Sequence, residues 1–101
     1  MAEREYSLTV TQAAKQQLRA ALKFVYKQSV QGSEKIEAEI LASFDKIIQE
    51  PLRFPVDKYK NDNDGSIRAY EVMHYRISYQ VKGQRISVVR IRHTSQDPQS
   101  F

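Results

Sequence analysis

Arg68-Ala69-Tyr70-Glu71-Val72 runs into Tyr75-Arg76-Ile77-Ser78-Tyr79-Gln80-Val81 and then, past Lys82-Gly83, into Ile86-Ser87-Val88-Val89-Arg90-Ile91-Arg92-His93. These are three short alternating runs separated by tight turns, and they predict an antiparallel meander. Alternation assigns the faces. Tyr75, Ile77, Tyr79 and Val81 share one side of the middle strand, and Arg76, Ser78 and Gln80 share the other. In the last run Val89, Ile91 and His93 alternate with Arg90 and Arg92. Ile86 and Val88 then fall with the arginines, leaving that second face partly apolar, as in a central strand.

The positive charge is concentrated in the same place. Residues 67–101 carry six basic side chains (Arg68, Arg76, Lys82, Arg85, Arg90, Arg92) against two acidic ones (Glu71, Asp97), a balance of +4. Residues 1–66 carry ten of each sign and balance to zero. The net excess thus lies on the sheet and its tail, and a field of that kind calls for an anionic partner.

Upstream, Tyr6-Ser7-Leu8-Thr9-Val10 reads as a short first strand. Thr9 with Gln12 fits a capping box, with Thr11 as an alternative cap. Ala14, Leu18, Ala21, Leu22 and Val25 follow at helical spacing and form one apolar stripe. Gly32 offers a left-handed stop for this helix and Ser33 a cap for the next. Ile36, Ile40, Phe44 and Ile47, widened by Leu41 and Ile48, make the second stripe, which Pro51 ends. Two amphipathic helices on so short a link form an antiparallel hairpin that must pack on the sheet to complete a core. The expected fold class is α+β, with an N-terminal helical hairpin on one face of a small, mostly antiparallel four-stranded sheet. The opposite face is expected to be open, polar and basic. With 101 residues, no internal repeat and no linker, residues 1–101 read as a single domain.

Composition narrows the chemistry. There is no cysteine, which excludes thiol catalysis, cysteine-based zinc sites and a disulfide framework. No apolar run reaches the roughly 20 residues needed to span a bilayer, and no signal peptide is visible, so a cytoplasmic protein without a membrane partner is expected. Asn61-Asp62-Asn63-Asp64-Gly65 has a calcium-like look, but an EF-hand counted from Asn61 needs a bidentate Glu where Val72 stands. It reads as a solvated Asx-rich turn. With His74 and His93 as the two histidines, and no carboxylates at ligand spacing, no metal and no cofactor are expected. His74 reads as a solvated turn residue. His93 ends the last strand beside Arg92, where a structural and a functional histidine remain equal readings. Arg76 lies mid-sheet opposite four apolar residues, beside strands bearing Arg68, Arg90 and Arg92. Such a cluster suits phosphate oxygens, since each guanidinium offers a planar fork of donors. The structural alternative is an ion pair with Glu71 on the neighbouring strand.

Tyr75-Arg76-Ile77-Ser78-Tyr79-Gln80-Val81, the segment from Ile86 to His93 and the ending His93-x-x-x-Asp97-Pro98 resemble toxins of the RelE/ParE superfamily from bacterial type II toxin–antitoxin systems. The helical hairpin and Pro51-Leu52-Arg53-Phe54-Pro55 fall in the same order as in that superfamily. The resemblance implies a cognate antitoxin as partner. For the ribonuclease branch it implies cleavage of mRNA on the ribosome by attack of a ribose 2′-hydroxyl on the adjacent phosphate. Arg76 would then be the strand arginine, with His93 or Glu71 exchanging protons. Lys58, Lys60, Arg68, Arg90 and Arg92 would bind RNA phosphate. This chain departs from that branch after His93, where Thr94-Ser95-Gln96 stand in place of the usual aromatic residue. The ParE-like branch instead poisons DNA gyrase without nuclease activity. It often ends in His-x-Arg-Arg-Asp, and here His93 and Asp97 match while Ser95 and Gln96 replace the arginines. Outside both branches stands a small basic nucleic-acid-binding module, whose stacking residue would be Tyr70.

Overall fold

A computed structural model describes residues 5–96 and 100–101. Asp97 and Pro98, part of the family-like ending, lie outside the described residues. The elements follow in the order β1 (Ser7–Val10), α1 (Gln12–Tyr26), α2 (Val30–Gln49), β2 (Ile67–Val72), β3 (Tyr75–Lys82) and β4 (Arg85–His93). The sheet order is β1-β4-β3-β2. β2–β3 and β3–β4 are antiparallel, whereas β1 lies parallel to β4 along Arg85–Val88. The expected α+β architecture, two helices on a four-stranded and mostly antiparallel sheet, is the one observed.

The helix boundaries differ from the sequence reading in one place. Thr11 is the cap of α1, its hydroxyl accepting from the Ala14 N–H at 3.2 Å. Gly32 does not stop that helix. It lies in the first turn of α2, where its N–H donates to the Ser29 hydroxyl at 2.9 Å, so Ser29 is the second cap. Ser33 is buried, and its hydroxyl donates to the Leu22 carbonyl at 3.0 Å, tying the two helices together.

Ala14, Ile40, Phe44 and Ile47 of the hairpin meet Tyr70, Tyr75, Ile77, Tyr79, Ile86, Val88 and Ile91 of the sheet. Only the second hairpin turn, at Gly83, has a residue that favours its backbone; the first places two non-glycine residues in the left-handed region. Met73 and His74 carry φ of 52° and 68°, as a type I′ turn requires, and Gly83 carries 56°. A β-bulge in β4 overturns the face assignment made by simple alternation. Ser78 pairs with Arg90 and Tyr79 with Val88, so Val89 has no partner on β3. The extra residue resets the parity. Ile86 and Val88 before it and Ile91 after it all point into the core, and Arg90 and Arg92 point away. The second face is therefore not partly apolar at Ile86 and Val88, which are fully buried beneath the helices.

The β2 register brings a second correction. Arg68, Tyr70 and Val72 pair with Tyr79, Ile77 and Tyr75, and so stand on the helix side. Arg68 is not beside Arg76 but on the opposite face. Its Nη1 donates to the carbonyls of Leu52 and Phe54 at 3.3 and 2.5 Å, clasping the loop that follows α2. Tyr70 is buried, shares a 2.6 Å hydrogen bond with Ser43, and stacks on Phe54 at 4.5 Å. It is not a stacking platform for bases.

Candidate basic cleft on the open face

The face away from the helices is only half open. Val56 forms an antiparallel bridge with Arg68, and the backbone on either side pairs with the outer edge of β2 (Asp57 N–H to Ile67 carbonyl, 2.8 Å; Ala69 N–H to Pro55 carbonyl, 3.1 Å). From this edge the loop turns over the polar face. Asn63 organises the turn, donating to the carbonyls of Asp57 and Ile67 and accepting from the N–H groups of Gly65 and Ile67. The Asx-rich segment is thus a built turn rather than only a solvated one, because Asn carries both a donor and an acceptor within reach of the backbone.

Asp57 is the residue on which the face depends. It is 1% exposed. Its Oδ2 accepts from the Ser78 hydroxyl at 2.6 Å, and its Oδ1 from Arg76 Nη2 at 2.9 Å and the Tyr59 N–H at 3.0 Å. The Asp57 backbone pairs with the outer edge of β2, so its carboxylate spans that strand to reach Ser78 and Arg76 on β3. Burial pushes the Asp57 carboxyl up, but the bonds from Ser78, Arg76 and Tyr59 outweigh it and hold the group below its ordinary value. Arg76 does pair with Glu71, as the sequence suggested, but at 3.6 Å and to an exposed carboxylate. The nearer partner is the buried Asp57. No local signal in the sequence marks this acid among its loop neighbours, and only the fold over the sheet reveals it.

Arg76, Arg90, Arg92, Glu71 and His93 line one small cleft of about 80 Å³, with Asp57, Tyr59 and Phe101 at its walls. Five of the sequence-derived candidates thus meet, while Arg68 lies on the other face. Lys58 and Lys60 do not line the cleft; Lys58 Nζ lies 5.2 Å from the Tyr59 ring and Lys60 Nζ 5.6 Å from the Phe101 ring. The Tyr59 ring also lies 4.8 Å from the Arg76 guanidinium. Burial, and after it repulsion from Arg92, lower the Arg90 guanidinium from its ordinary value, while Asp57 opposes them. It stays a cation at any physiological pH.

His93 stands at the rim and is exposed. Its Nδ1 accepts from the Ser95 N–H at 3.0 Å and contacts the Ser95 hydroxyl at 2.6 Å. A neutral imidazole held this way carries its proton on Nε2. Its ring meets Tyr75 edge-on at 5.1 Å. Between α1 and the end of β4 runs a larger groove of about 630 Å³, lined by Ala20, Ala21, Phe24, Tyr75 and Ile91 among others. β1 stops short of this stretch, and the Gln17 side chain accepts from the Ile91 N–H in its place. Among the described residues, no helix is long and apolar enough to cross a membrane.

The chain is similar in structure to a chain of the chromosomal ParDE toxin–antitoxin system from P. aeruginosa. The TM-score is 0.71 at 18% identity, covering 92% of this chain and 100% of that one. It is similar also to a chain of the toxin–antitoxin complex RelBE2 from Mycobacterium tuberculosis, with a TM-score of 0.55 at 16% identity, over 88% of this chain and 98% of that one. At such identities the likeness shows the fold. No curated protein matches at significant similarity. The family described as the ParE toxin of the type II toxin–antitoxin system parDE matches residues 8–98. A match over that span, on a chain with this sheet and hairpin, settles the family: the protein belongs to the ParE toxins of type II toxin–antitoxin systems.

Proposed function

We propose that the chain inhibits growth as a binding poison of the ParE kind, directed at DNA gyrase, and that a cognate antitoxin neutralises it. The observation that carries this reading is the ion pair of Arg76 with the buried Asp57. An arginine that stabilises a phosphorane must direct its charge at the phosphate, and here that charge is met by a carboxylate at 2.9 Å. The proton-transfer groups fit the nuclease role poorly as well. His93 has Nδ1 occupied by Ser95, and Glu71 faces Arg76. What is left is a shaped, arginine-lined surface suited to recognition. The match to the ParE family supports the same branch.

The ribonuclease reading keeps one observation in its favour, namely that Arg76, Arg90, Arg92 and His93 line a common cleft. Two reactions separate them. The purified protein is expected to abolish supercoiling by gyrase and to leave mRNA intact in a reconstituted translation mixture. Cleaved mRNA with unimpaired supercoiling would reverse the assignment. The antitoxin is expected to cover the groove beside α1, where Phe24 is 66% exposed, and to meet the positive sheet with acidic residues. Co-expression with the adjacent gene should give a stable complex. A harmless protein that binds no product of a neighbouring gene would remove the toxin reading.

A further inference from the structure

Phe101 lies against the basic cleft, and two kinds of contact hold it there, main-chain pairing and cation–ring contacts. Its N–H donates to the Tyr59 carbonyl at 3.0 Å and its carbonyl accepts from the Asn61 N–H at 2.7 Å. This is the two-bond bridge that a parallel strand makes with one residue of its neighbour. Its ring centroid lies 4.2 Å from the Arg90 guanidinium carbon, and the Lys60 ammonium approaches the same ring. The edge it pairs with is held independently of it, because Tyr59 is fixed by the buried Asp57. Main-chain pairing with a side chain seated in a specific place is how an extended peptide is recognised at a strand edge.

We propose that the Tyr59–Asn61 edge together with Arg90 forms a docking slot for an extended segment bearing an aromatic side chain, and that Phe101 occupies it in cis as a removable plug. With its ring on Arg90 and its backbone paired to Tyr59 and Asn61, Phe101 forms one wall of the small cleft and narrows the approach to the in-plane N–H donors of Arg90. The plug and an anionic partner therefore compete for Arg90, and the cleft in the free chain is held back from its target. This regulation rests on the reading of the cleft as a target-binding surface, but the plug can be measured apart from any toxicity.

The probe is inorganic pyrophosphate, titrated into the full chain while the side-chain Nε–Hε resonances of Arg90 and Arg92 are followed by NMR. Phe101→Ala is expected to bind about fivefold or more tightly than wild type, equivalent to about 1 kcal/mol. Phe101→Trp keeps the ring and should match wild type. Before any addition, the Arg90 resonance should move in Phe101→Ala through loss of the ring current. An affinity that Phe101→Ala leaves unchanged or lowers, including no binding by either protein, overturns the plug. So does an Arg90 resonance that does not move. Growth on expression is scored separately. A harmless wild type removes the toxin reading and leaves the slot standing, and an unchanged affinity does the reverse.

Discussion

The two faces of the sheet are closed by different physics. On one, Ile77, Tyr79, Ile86 and Val88 are sealed under Ile40, Phe44 and Ile47, and the polar ends of the buried tyrosines are met singly, Tyr79 by the Pro51 carbonyl at 2.7 Å and Tyr70 by Ser43. On the other, a loop lays one carboxylate over the strands, and Asp57 collects Ser78, Arg76 and the Tyr59 N–H. Apolar burial is non-directional and tolerates repacking. A buried carboxylate is stable only while its partners stay in place. The first face can hold the fold while residues change, and the second can hold arginines at set positions.

The sharpest way to break this comparison is to cut each face once and measure urea unfolding. Ile77→Ala removes a side chain with no exposure and should cost about 2–5 kcal/mol, with the cleft unaltered in a folded variant. Asp57→Ala should cost about 2–4 kcal/mol and also release the loop, because Ser78 and Arg76 lose their common acceptor. If Asp57→Ala costs less than 1 kcal/mol, the polar face is decoration on a fold made by the other one.

Acid sharpens the same contrast. The Asp57 carboxyl is held below its ordinary value in the folded chain, so the folded state binds that proton more weakly than the unfolded state. Its contribution is complete above the unfolded carboxylate value of about 3.9 and is lost as pH falls through the lower folded value. Wild type should therefore lose stability below about pH 4 more steeply than Asp57→Asn, in which that group no longer titrates. Parallel acid profiles for the two proteins would contradict the assignment.

Smaller cuts test how the polar face is assembled. Asn63→Ala deletes the four bonds its side chain makes in the turn and should cost about 1–2 kcal/mol, read from denaturant midpoints. Glu71→Ala should cost about 0–1 kcal/mol, since its pair with Arg76 is at 3.6 Å and its side chain is 59% exposed. Were Glu71→Ala as damaging as Asp57→Ala, Arg76 would owe its position to the strand neighbour rather than to the loop.

What could be read from the chain and what could not divide along the range of the forces. Alternation in Tyr75-Arg76-Ile77-Ser78-Tyr79, helical stripes such as Ile36-Ile40-Phe44-Ile47, and the charge gathered after residue 66 are local properties, and they determined the meander, the hairpin that covers it and the basic character of one face. The cleft's arginines were legible for the same reason, since Arg76, Arg90 and Arg92 follow strand parity. The bulge at Val89 was not, because one unpaired residue is set by how β4 fits both β3 and the helices above it, and it moved Ile86 and Val88 to the other side. Arg68 likewise changed sides, because the face of β2 depends on its register against β3. Asp57 meets Arg76 from 19 residues away, and Phe101 meets Arg90 from beyond the last strand. Periodicity carries no information about such contacts. They exist because a loop and a tail fold back over the same strands, and only the tertiary structure decides which charges they find there.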